Sequence, residues 1–252
     1  MADGSSSSAL LLLLEEAFLT WNQHDAQKTE SERVGLELLH FEPGPLTIPA
    51  AQGDSVLLIL SGFLRLEWQF AGEGLEIKSC QRGTAVSVPA GRRVAGEIVG
   101  DERSTMLRAF AKFRQMTGQT GAEGRGITTS NPESGVWFFE PALPPHVQLA
   151  AGEVSGVKDL DFFVACLPPG TSVPTHLHRG RDEAFAILSG EGSLRLGLDD
   201  LHVGKGAMLL AKAGTPHGIQ NGGKLPLVLV ASHCPPHDDA DHWPCEDASQ
   251  QP

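Results

Sequence analysis

Short apolar runs, each bounded by turn residues, recur along most of the chain. The run at 35–44 alternates apolar and polar positions before a turn, and the segment 54–70 predicts two consecutive strands. The pattern resumes at Val136, and its last clear run is 225–233. Many short strands at turn-bounded spacing are typical of a β-sandwich or a β-barrel. The sequence therefore predicts an all-β fold.

Two stretches interrupt this pattern. Residues 9–28 begin with a leucine run behind a serine tract, and we interpret them as a helix within an N-terminal arm at 1–34. The run has no basic segment before it and is too short to cross a bilayer. The stretch 115–135 is rich in Gly, Thr and Ser, which indicates a connection between two domains or, alternatively, an ordered surface loop.

An internal repeat divides the β region into two copies. The tetrapeptide Ile-Leu-Ser-Gly at 59–62 recurs at 187–190, and each copy follows a Pro-Gly turn and an apolar strand. A second pair of similar segments, 83–94 and 206–217, follows the two copies. The predicted domains are an N-terminal arm at 1–34, a first barrel at 35–118, and a second barrel with its connection and tail at 119–252.

Three histidines and one glutamate in the second copy form a candidate ligand set for a metal ion. His176 and His178 are two residues apart, so on an extended strand both side chains point to the same face. A hairpin turning at 179–182 would bring Glu183 opposite them. His217 follows a Gly-Thr-Pro turn and must come from a more distant strand. Three imidazoles and one carboxylate suit a divalent transition metal.

Two motifs around these residues resemble the signature motifs of the cupin superfamily. The pattern Gly-x5-His-x-His-x4-Glu-x6-Gly occupies 170–190. The pattern Gly-x5-Pro-x-Gly-x2-His-x3-Asn occupies 206–221, with Lys212 in place of the proline at a turn position. The resemblance covers roughly residues 35–235. It implies a bicupin, which is two jelly-roll barrels in one chain, with the metal held by His176, His178, Glu183 and His217.

The first copy lacks this chemistry. No histidine occurs between His40 and His146, so the first barrel cannot assemble a site with three histidines. We interpret it as a structural partner that covers a sheet face or edge of the second barrel. A metal-free ligand pocket is the alternative. The positions aligned with the four ligands hold Ala50, Gln52, Ser55 and Val94.

The amino-acid composition limits which kinds of binding partner and which cellular location we expect for the protein. The 252 residues are 40% hydrophobic and 20% charged, which is typical of a globular protein with a real core. The net charge of −12 argues against nucleic-acid and membrane partners and leaves a small-molecule substrate. Four scattered cysteines without a CxxC pair predict reduced thiols, and with the N-terminal segment described above the expected location is cytoplasmic. The bicupin resemblance implies a monomer or a homodimer. The absence of tyrosine excludes any mechanism that needs a tyrosyl acid or radical.

The ligand set leaves one or two coordination positions open on an octahedral metal, which is a property of catalytic sites. Fe(II) or Mn(II) is favoured, and Ni(II), Zn(II) or Cu(II) also suits the mixed nitrogen and oxygen donors. The family resemblance implies a dioxygenase-type oxidoreductase acting on a small organic molecule. One alternative is a metal-assisted isomerase, lyase or decarboxylase in which Glu183 acts as a catalytic proton carrier. The other is a non-catalytic binding protein.

Further residues are candidates for a substrate pocket or a cap over it. Phe163 and Phe185 are aromatic candidates for the pocket wall, although aromatic residues in strands are usually core. Arg181 is a candidate for binding an anionic substrate at the barrel mouth, with an exposed turn residue as the alternative. The tail could form a second metal site, be solvated, or cap the second barrel. Its potential ligands are His233, Cys234, His237, His242 and Cys245.

Overall fold

The structure is a computed structural model that describes residues 28–69, 75–112, 127–131, 136–138, 144–150, 155–236 and 239–245. The described part is almost entirely β, and one short 3-10 helix spans Asp239–Asp241. Residues 9–27 of the expected helix lie outside the described residues, and its last residue, Lys28, begins a strand. Most of the 115–135 connection also lies outside them. Within the described ranges, no helix is long and apolar enough to cross a bilayer.

The N-terminal half forms a first barrel from two antiparallel sheets. A six-stranded sheet has the order β1-β2-β9-β4-β7-β10, and a four-stranded sheet has the order β3-β8-β5-β6. The strands are β1 (Lys28–Glu30), β2 (Val34–Phe41), β3 (Gly44–Ile48), β4 (Ser55–Ser61), β5 (Phe63–Gln69), β6 (Leu75–Gln81), β7 (Ala85–Val88), β8 (Val94–Val99), β9 (Ser104–Ala111) and β10 (Thr128–Ser130).

The C-terminal half repeats this arrangement as a second barrel. Its six-stranded sheet has the order β11-β12-β13-β20-β15-β18, and its five-stranded sheet has the order β17-β16-β19-β14-β21. The strands are β11 (Val136–Phe138), β12 (His146–Ala150), β13 (Phe162–Leu167), β14 (Ser172–Leu177), β15 (Asp182–Ser189), β16 (Glu191–Leu196), β17 (Asp199–Gly204), β18 (Met208–Ala211), β19 (His217–Gln220), β20 (Leu227–Cys234) and β21 (Trp243–Pro244).

Strand β15 shows how the two barrels pack against each other. Phe185 and Ile187 point into the core of the second barrel. Ala184 and Ala186, on the opposite face, join a hydrophobic cluster shared with strands β2, β4 and β9 of the first barrel. Because successive strand residues alternate between faces, a strand buried on both sides needs a continuous apolar run. The first barrel thus covers the outer face of the six-stranded sheet of the second barrel.

Two buried aspartates join the barrels by hydrogen bonds. The Asp54 Oδ1 accepts a hydrogen bond from the Ala90 backbone N–H at 2.7 Å. Its Oδ2 accepts from the N–H of Asp159 at 3.1 Å and from that of Lys158. In return, the Asp159 carboxylate accepts from the Asp54 N–H at 3.1 Å. These bonds tie the turn before β4 to the segment that leads into β13.

Two glycines at turns of the second barrel share a left-handed backbone conformation but differ in their surroundings. Gly170 and Gly190 both have φ of 79°. A Cβ at Gly190 would lie 2.5 Å from the Pro226 carbonyl oxygen, whereas one at Gly170 would meet nothing within 4 Å. Gly190 therefore has a steric requirement in addition to the conformational one.

We expect Gly190→Ala to destabilise the protein clearly more than Gly170→Ala. The shared left-handed conformation costs each alanine about 1–2 kcal/mol. Overpacking against the Pro226 carbonyl adds roughly 1–3 kcal/mol at position 190 only. Urea denaturation followed by tryptophan fluorescence measures both changes. Equal losses in the two variants would contradict the steric explanation.

Candidate metal centre

The four predicted ligands lie together inside the second barrel. One donor atom from each of His176, His178, Glu183 and His217 can be chosen so that all four atoms lie within 4.8 Å of one another. All four residues are buried. His176 and His217 are direct partners in the β14–β19 pairing, with ring centroids 4.4 Å apart.

Glu183 reaches the histidines by a different route from the predicted hairpin. Strand β14 belongs to the five-stranded sheet, whereas β15 pairs with β18 and β20 in the six-stranded sheet. The prediction of a hairpin was therefore wrong, because the turn at 179–182 carries the chain from one sheet to the other. Glu183 faces the three histidines across the barrel interior.

Each of the three histidines is held by a hydrogen bond from its Nδ1 to a backbone carbonyl oxygen. The distances are 2.9 Å from His176 to Pro174, 2.9 Å from His217 to Thr215, and 2.7 Å from His178 to Asp241. A carbonyl oxygen can only accept, so Nδ1 carries the proton. In a neutral imidazole, Nε2 then keeps its lone pair, which is the arrangement that ligating histidines adopt.

The Glu183 carboxylate lies where the Nε2 atoms converge. Its Oε2 is 2.9 Å from Nε2 of His217 and 3.3 Å from that of His178. Burial acts to raise the pKa of Glu183, but the charge of the neighbouring His233 imidazole holds it well below its usual range. This carboxyl is therefore ionised at neutral pH and can serve as an oxygen donor.

Burial also prepares His176 for ligation. Desolvation, with His217 as a further cause, lowers the pKa of His176 to about 3. Its imidazole is thus neutral at pH 7, the form that binds metal ions. Three oriented imidazoles and one ionised carboxylate fit a single divalent transition metal ion.

His233 also belongs to this site, although the sequence analysis assigned it to the tail. It lies on β20, directly opposite Glu183 in the β15–β20 pairing. Its Nδ1 is 3.0 Å from Asp161 Oδ1, and its Nε2 is 3.3 Å from Glu183 Oε2. Burial acts to lower the pKa of His233, but the carboxylates of Asp161 and Glu183 raise it to about 10. The chain Asp161–His233–Glu183 fixes the orientation of the glutamate.

The sequence analysis did not assign His233 and Asp161 to the candidate metal centre, and only one feature of the sequence could have indicated them. His233 ends the apolar run 225–233, and Asp161 precedes the apolar run of β13. The spacing of Asp161 and His233 in the sequence could not pair the two residues. Strand β13, which begins directly after Asp161, and strand β20, which carries His233, are neighbours only in the folded sheet.

A cavity of about 240 Å³ adjoins the four candidate ligands. Phe163 and Phe185, both predicted as pocket residues, contribute to its wall. Phe163 stacks on His233 with ring centroids 5.5 Å apart, and the Phe185 ring is 5.6 Å from that of His217. Among the described residues that line the cavity, none is lysine or arginine. Its other apolar residues include Val173, Leu194, Ile219 and Leu229.

Arg181 is directed to the tail of the chain. It is only 4% exposed, and its Nε donates to Asp241 Oδ2 at 2.9 Å. Its Nη1 donates to the Pro236 carbonyl oxygen at 2.7 Å. Arg181 is not among the residues that line the cavity. The buried guanidinium therefore fastens the tail to the turn between β14 and β15.

The first barrel has no equivalent ligands in the corresponding places. Ser55 begins β4 and Val94 begins β8, where the second barrel has Glu183 near the start of β15 and His217 at the start of β19. The strand pairings agree with this alignment, because β5 pairs with β8 as β16 pairs with β19. A hydroxyl and an isopropyl group stand where a carboxylate and an imidazole would be needed.

Comparison with known proteins links this site to a family. A family model described as a cupin domain matches residues 163–233. An uncharacterised protein of Methanocaldococcus jannaschii is 33% identical over 86 residues, which are 34% of this chain and 68% of that protein. The oxalate-binding protein of Thermotoga maritima is 37% identical over 65 residues, or 26% of this chain. The match spans only 54% of that second relative.

The fold of most of the chain is similar to that of a solved enzyme. Oxalate decarboxylase of Bacillus subtilis, studied for its Mn(II) centres, superposes with a TM-score of 0.65 and 14% identity, covering 82% of this chain and 70% of that chain. At such low identity, the structural likeness shows the fold alone, and the activity has to be argued from the site. With the domain match, the archaeal relative and two repeated barrels, this chain belongs to the cupin superfamily as a two-barrel member.

Proposed function

We propose that the second barrel is a metal-dependent oxidoreductase of the dioxygenase type, acting on a small organic molecule. One Mn(II) or Fe(II) ion would be held by His176, His178, Glu183 and His217. The observation that carries this proposal is the position of the four buried donors at the wall of a cavity of about 240 Å³. A purely structural metal site needs no such space beside it.

The lining of the cavity suggests the class of substrate. Most of the wall is apolar, the candidate ligands form a polar part of it, and His146 and Gln148 of β12 add two further polar side chains. An apolar cavity of about 150 Å³ is large enough for benzene. A cavity of about 240 Å³ therefore suits a compact apolar body with one oxygen-bearing head group directed to the metal.

Each part of the site has a distinct task in this proposal. When bound, the metal supplies a Lewis-acidic, redox-active centre at the cavity wall. Phe163 and Phe185 contact the apolar body of the substrate and exclude water from it. The backbone carbonyls behind the three histidines keep their Nε2 atoms directed inward, and His233 keeps Glu183 in place. Such fixed positions lower the reorganisation needed at the reacting centre.

A metal-dependent decarboxylase is the second candidate, and the likeness to oxalate decarboxylase favours it. In that reaction Glu183 would move a proton beside His233, whose Nε2 lies 3.3 Å away. The described cavity lining argues against oxalate itself as substrate, because no lysine or arginine is present to pair with the second carboxylate. A non-catalytic binding protein, favoured by the oxalate-binding relative, is the third candidate.

Product analysis on metal-loaded protein distinguishes these functions. The protein is loaded with Mn(II) or Fe(II) and incubated with oxalate, 1,3-diketones, 2-oxo acids and ortho-dihydroxyaromatics, while O₂ uptake and CO₂ release are recorded together. We expect O₂ uptake that matches product formation with one of the apolar substrates, and we expect oxalate to be a poor substrate. CO₂ release without net O₂ uptake would establish the decarboxylase, and tight binding without turnover would establish the binding protein.

A further inference from the structure

The last described segment of the chain lies against the candidate metal centre. Residues 239–245, here called the strap, comprise the 3-10 helix and β21. Strand β21 pairs with β14, which places Pro244 opposite His176 and Trp243 opposite Leu177. The Cys245 N–H also donates to the Thr175 carbonyl oxygen at 3.0 Å. The strap lies outside the matched cupin domain, which ends at residue 233.

The strap supplies the group that orients one ligand. The Nδ1 atoms of His176 and His217 donate to the carbonyl oxygen two residues earlier in their own segments. His178 instead donates to the backbone oxygen of Asp241 at 2.7 Å, far away in sequence. The orientation and tautomer of His178 therefore depend on whether the strap is in place.

The Asp241 side chain fastens that carbonyl to the turn that carries His178. Its Oδ1 accepts a hydrogen bond from the Arg179 N–H at 2.8 Å. Its Oδ2 accepts from the Gly180 N–H at 3.0 Å and from the Arg181 Nε at 2.9 Å. Bonds from charged donors to a carboxylate are among the stronger hydrogen bonds in proteins. One aspartate thus clamps the turn with its side chain and orients His178 with its backbone.

Two other strap residues make contacts that hold the strap against the candidate metal centre. The Arg179 guanidinium lies 3.9 Å from the centre of the Trp243 ring, a cation–π contact. The His242 ring stacks on His176 with centroids 4.2 Å apart and an interplanar angle of 16°, and His242 contributes to the cavity wall. The strap therefore touches two of the candidate ligands and borders the substrate cavity.

We propose that the strap is a component of the metal centre and that Asp241 is the positioning residue for His178. This proposal rests on the metal-binding function proposed above. Without the clamp, the His178 imidazole loses its fixed acceptor and samples orientations and tautomers in which Nε2 is not available to the metal. The barrel still folds, but the Nε2 atom of His178 is no longer held in position to bind the metal.

The test compares Mn(II) binding by the full-length protein and its Asp241→Ala variant, using calorimetry and the electron paramagnetic resonance spectrum of bound Mn(II). We expect a roughly 10- to 100-fold weaker affinity, the usual effect of removing a group that orients a ligand. Asp200→Ala is the matched control, because Asp200 is an exposed aspartate of the same barrel, paired with Arg195 at 2.9 Å. Its Mn(II) affinity should equal that of the wild type.

Nitrogen-15 NMR of the histidine rings in metal-free protein provides a readout that a general loss of stability would not reproduce. In Asp241→Ala, the His178 resonances should change toward mixed tautomers, while those of His176 and His217 keep Nδ1–H. Asp241→Asn retains a side-chain acceptor for the turn, so it should recover part of the Mn(II) affinity and also serves if the alanine variant folds poorly.

Two results would overturn the proposal in distinguishable ways. Wild-type affinity for Mn(II) in a folded Asp241→Ala variant, with unchanged His178 resonances, would remove the strap from the metal centre and leave the centre itself intact. Failure of the wild-type protein to bind Mn(II), Fe(II) or any other divalent transition metal would refute the metal centre, and the role of the strap would fall with it.

Discussion

Replacing His217 with alanine should eliminate tight metal binding and, with it, turnover of any substrate. The apparent binding free energy of a four-ligand structural Zn²⁺ site is about 10–16 kcal/mol, so one ligand contributes roughly 2.5–4 kcal/mol. Such a loss weakens metal affinity by roughly 60- to 700-fold. The effect should be large because His217 lies on β19, in direct pairing with His176, and its Nε2 is 2.9 Å from Glu183.

Metal content after purification and Mn(II)-dependent melting measure this effect. Wild-type protein should melt at a higher temperature when Mn(II) is added, because a ligand that binds only the folded state stabilises it. His217→Ala should show no such increase. His202→Ala is the matched control, since the His202 side chain is 74% exposed and lies on β17, outside the cavity. An undiminished increase in the His217 variant would exclude this histidine as a ligand.

Asp54→Ala should strongly destabilise the protein, although Asp54 lies outside the candidate metal centre. The Asp54 carboxylate accepts hydrogen bonds from the backbone N–H groups of Ala90, Lys158 and Asp159. Each buried donor left without an acceptor costs roughly 1–3 kcal/mol. We therefore expect a loss of about 3–5 kcal/mol in the free energy of unfolding, of the same order as breaking a buried ion pair.

Urea denaturation followed by tryptophan fluorescence measures this loss. Asp101→Ala provides the control, because Asp101 is an exposed aspartate of the same barrel and its replacement should change stability by less than about 0.5 kcal/mol. Since Asp54 bonds to the segment before β13, its removal should also weaken the coupling between the barrels and broaden the unfolding transition. A loss comparable to that of the control would show that the hydrogen bonds of the Asp54 carboxylate contribute little to holding the two barrels together.

The sequence predicted the fold class and the four candidate ligands because both depend on local, periodic features. Turn-bounded apolar runs predicted an all-β chain, and the repeat at 59–62 and 187–190 predicted two similar barrels. The His-x-His spacing placed His176 and His178 on one face without any tertiary information. Fixed offsets between glycines and ligands then identified the superfamily, which the domain match and the fold comparison confirm.

The sequence also indicated which barrel carries the chemistry. A stretch without histidine leaves the first barrel unable to assemble the site, whatever its fold. The apolar run 184–188 of β15 suits a strand that is buried on both faces. No local pattern predicted which residues cover the outer face of β15. Ala184 and Ala186 on that face pack against residues more than a hundred positions earlier in the chain, such as Leu58.

The tertiary structure alone decided how the site is completed. Glu183 reaches the histidines across the barrel instead of along a hairpin, because β14 and β15 join different sheets. Asp161 and His233 come together only through the pairing of β13 with β20, and Asp241 reaches His178 only because the strap pairs with β14. Residue types and short spacings are set by the linear sequence. Contacts between distant segments follow from sheet closure and register, which no local pattern specifies.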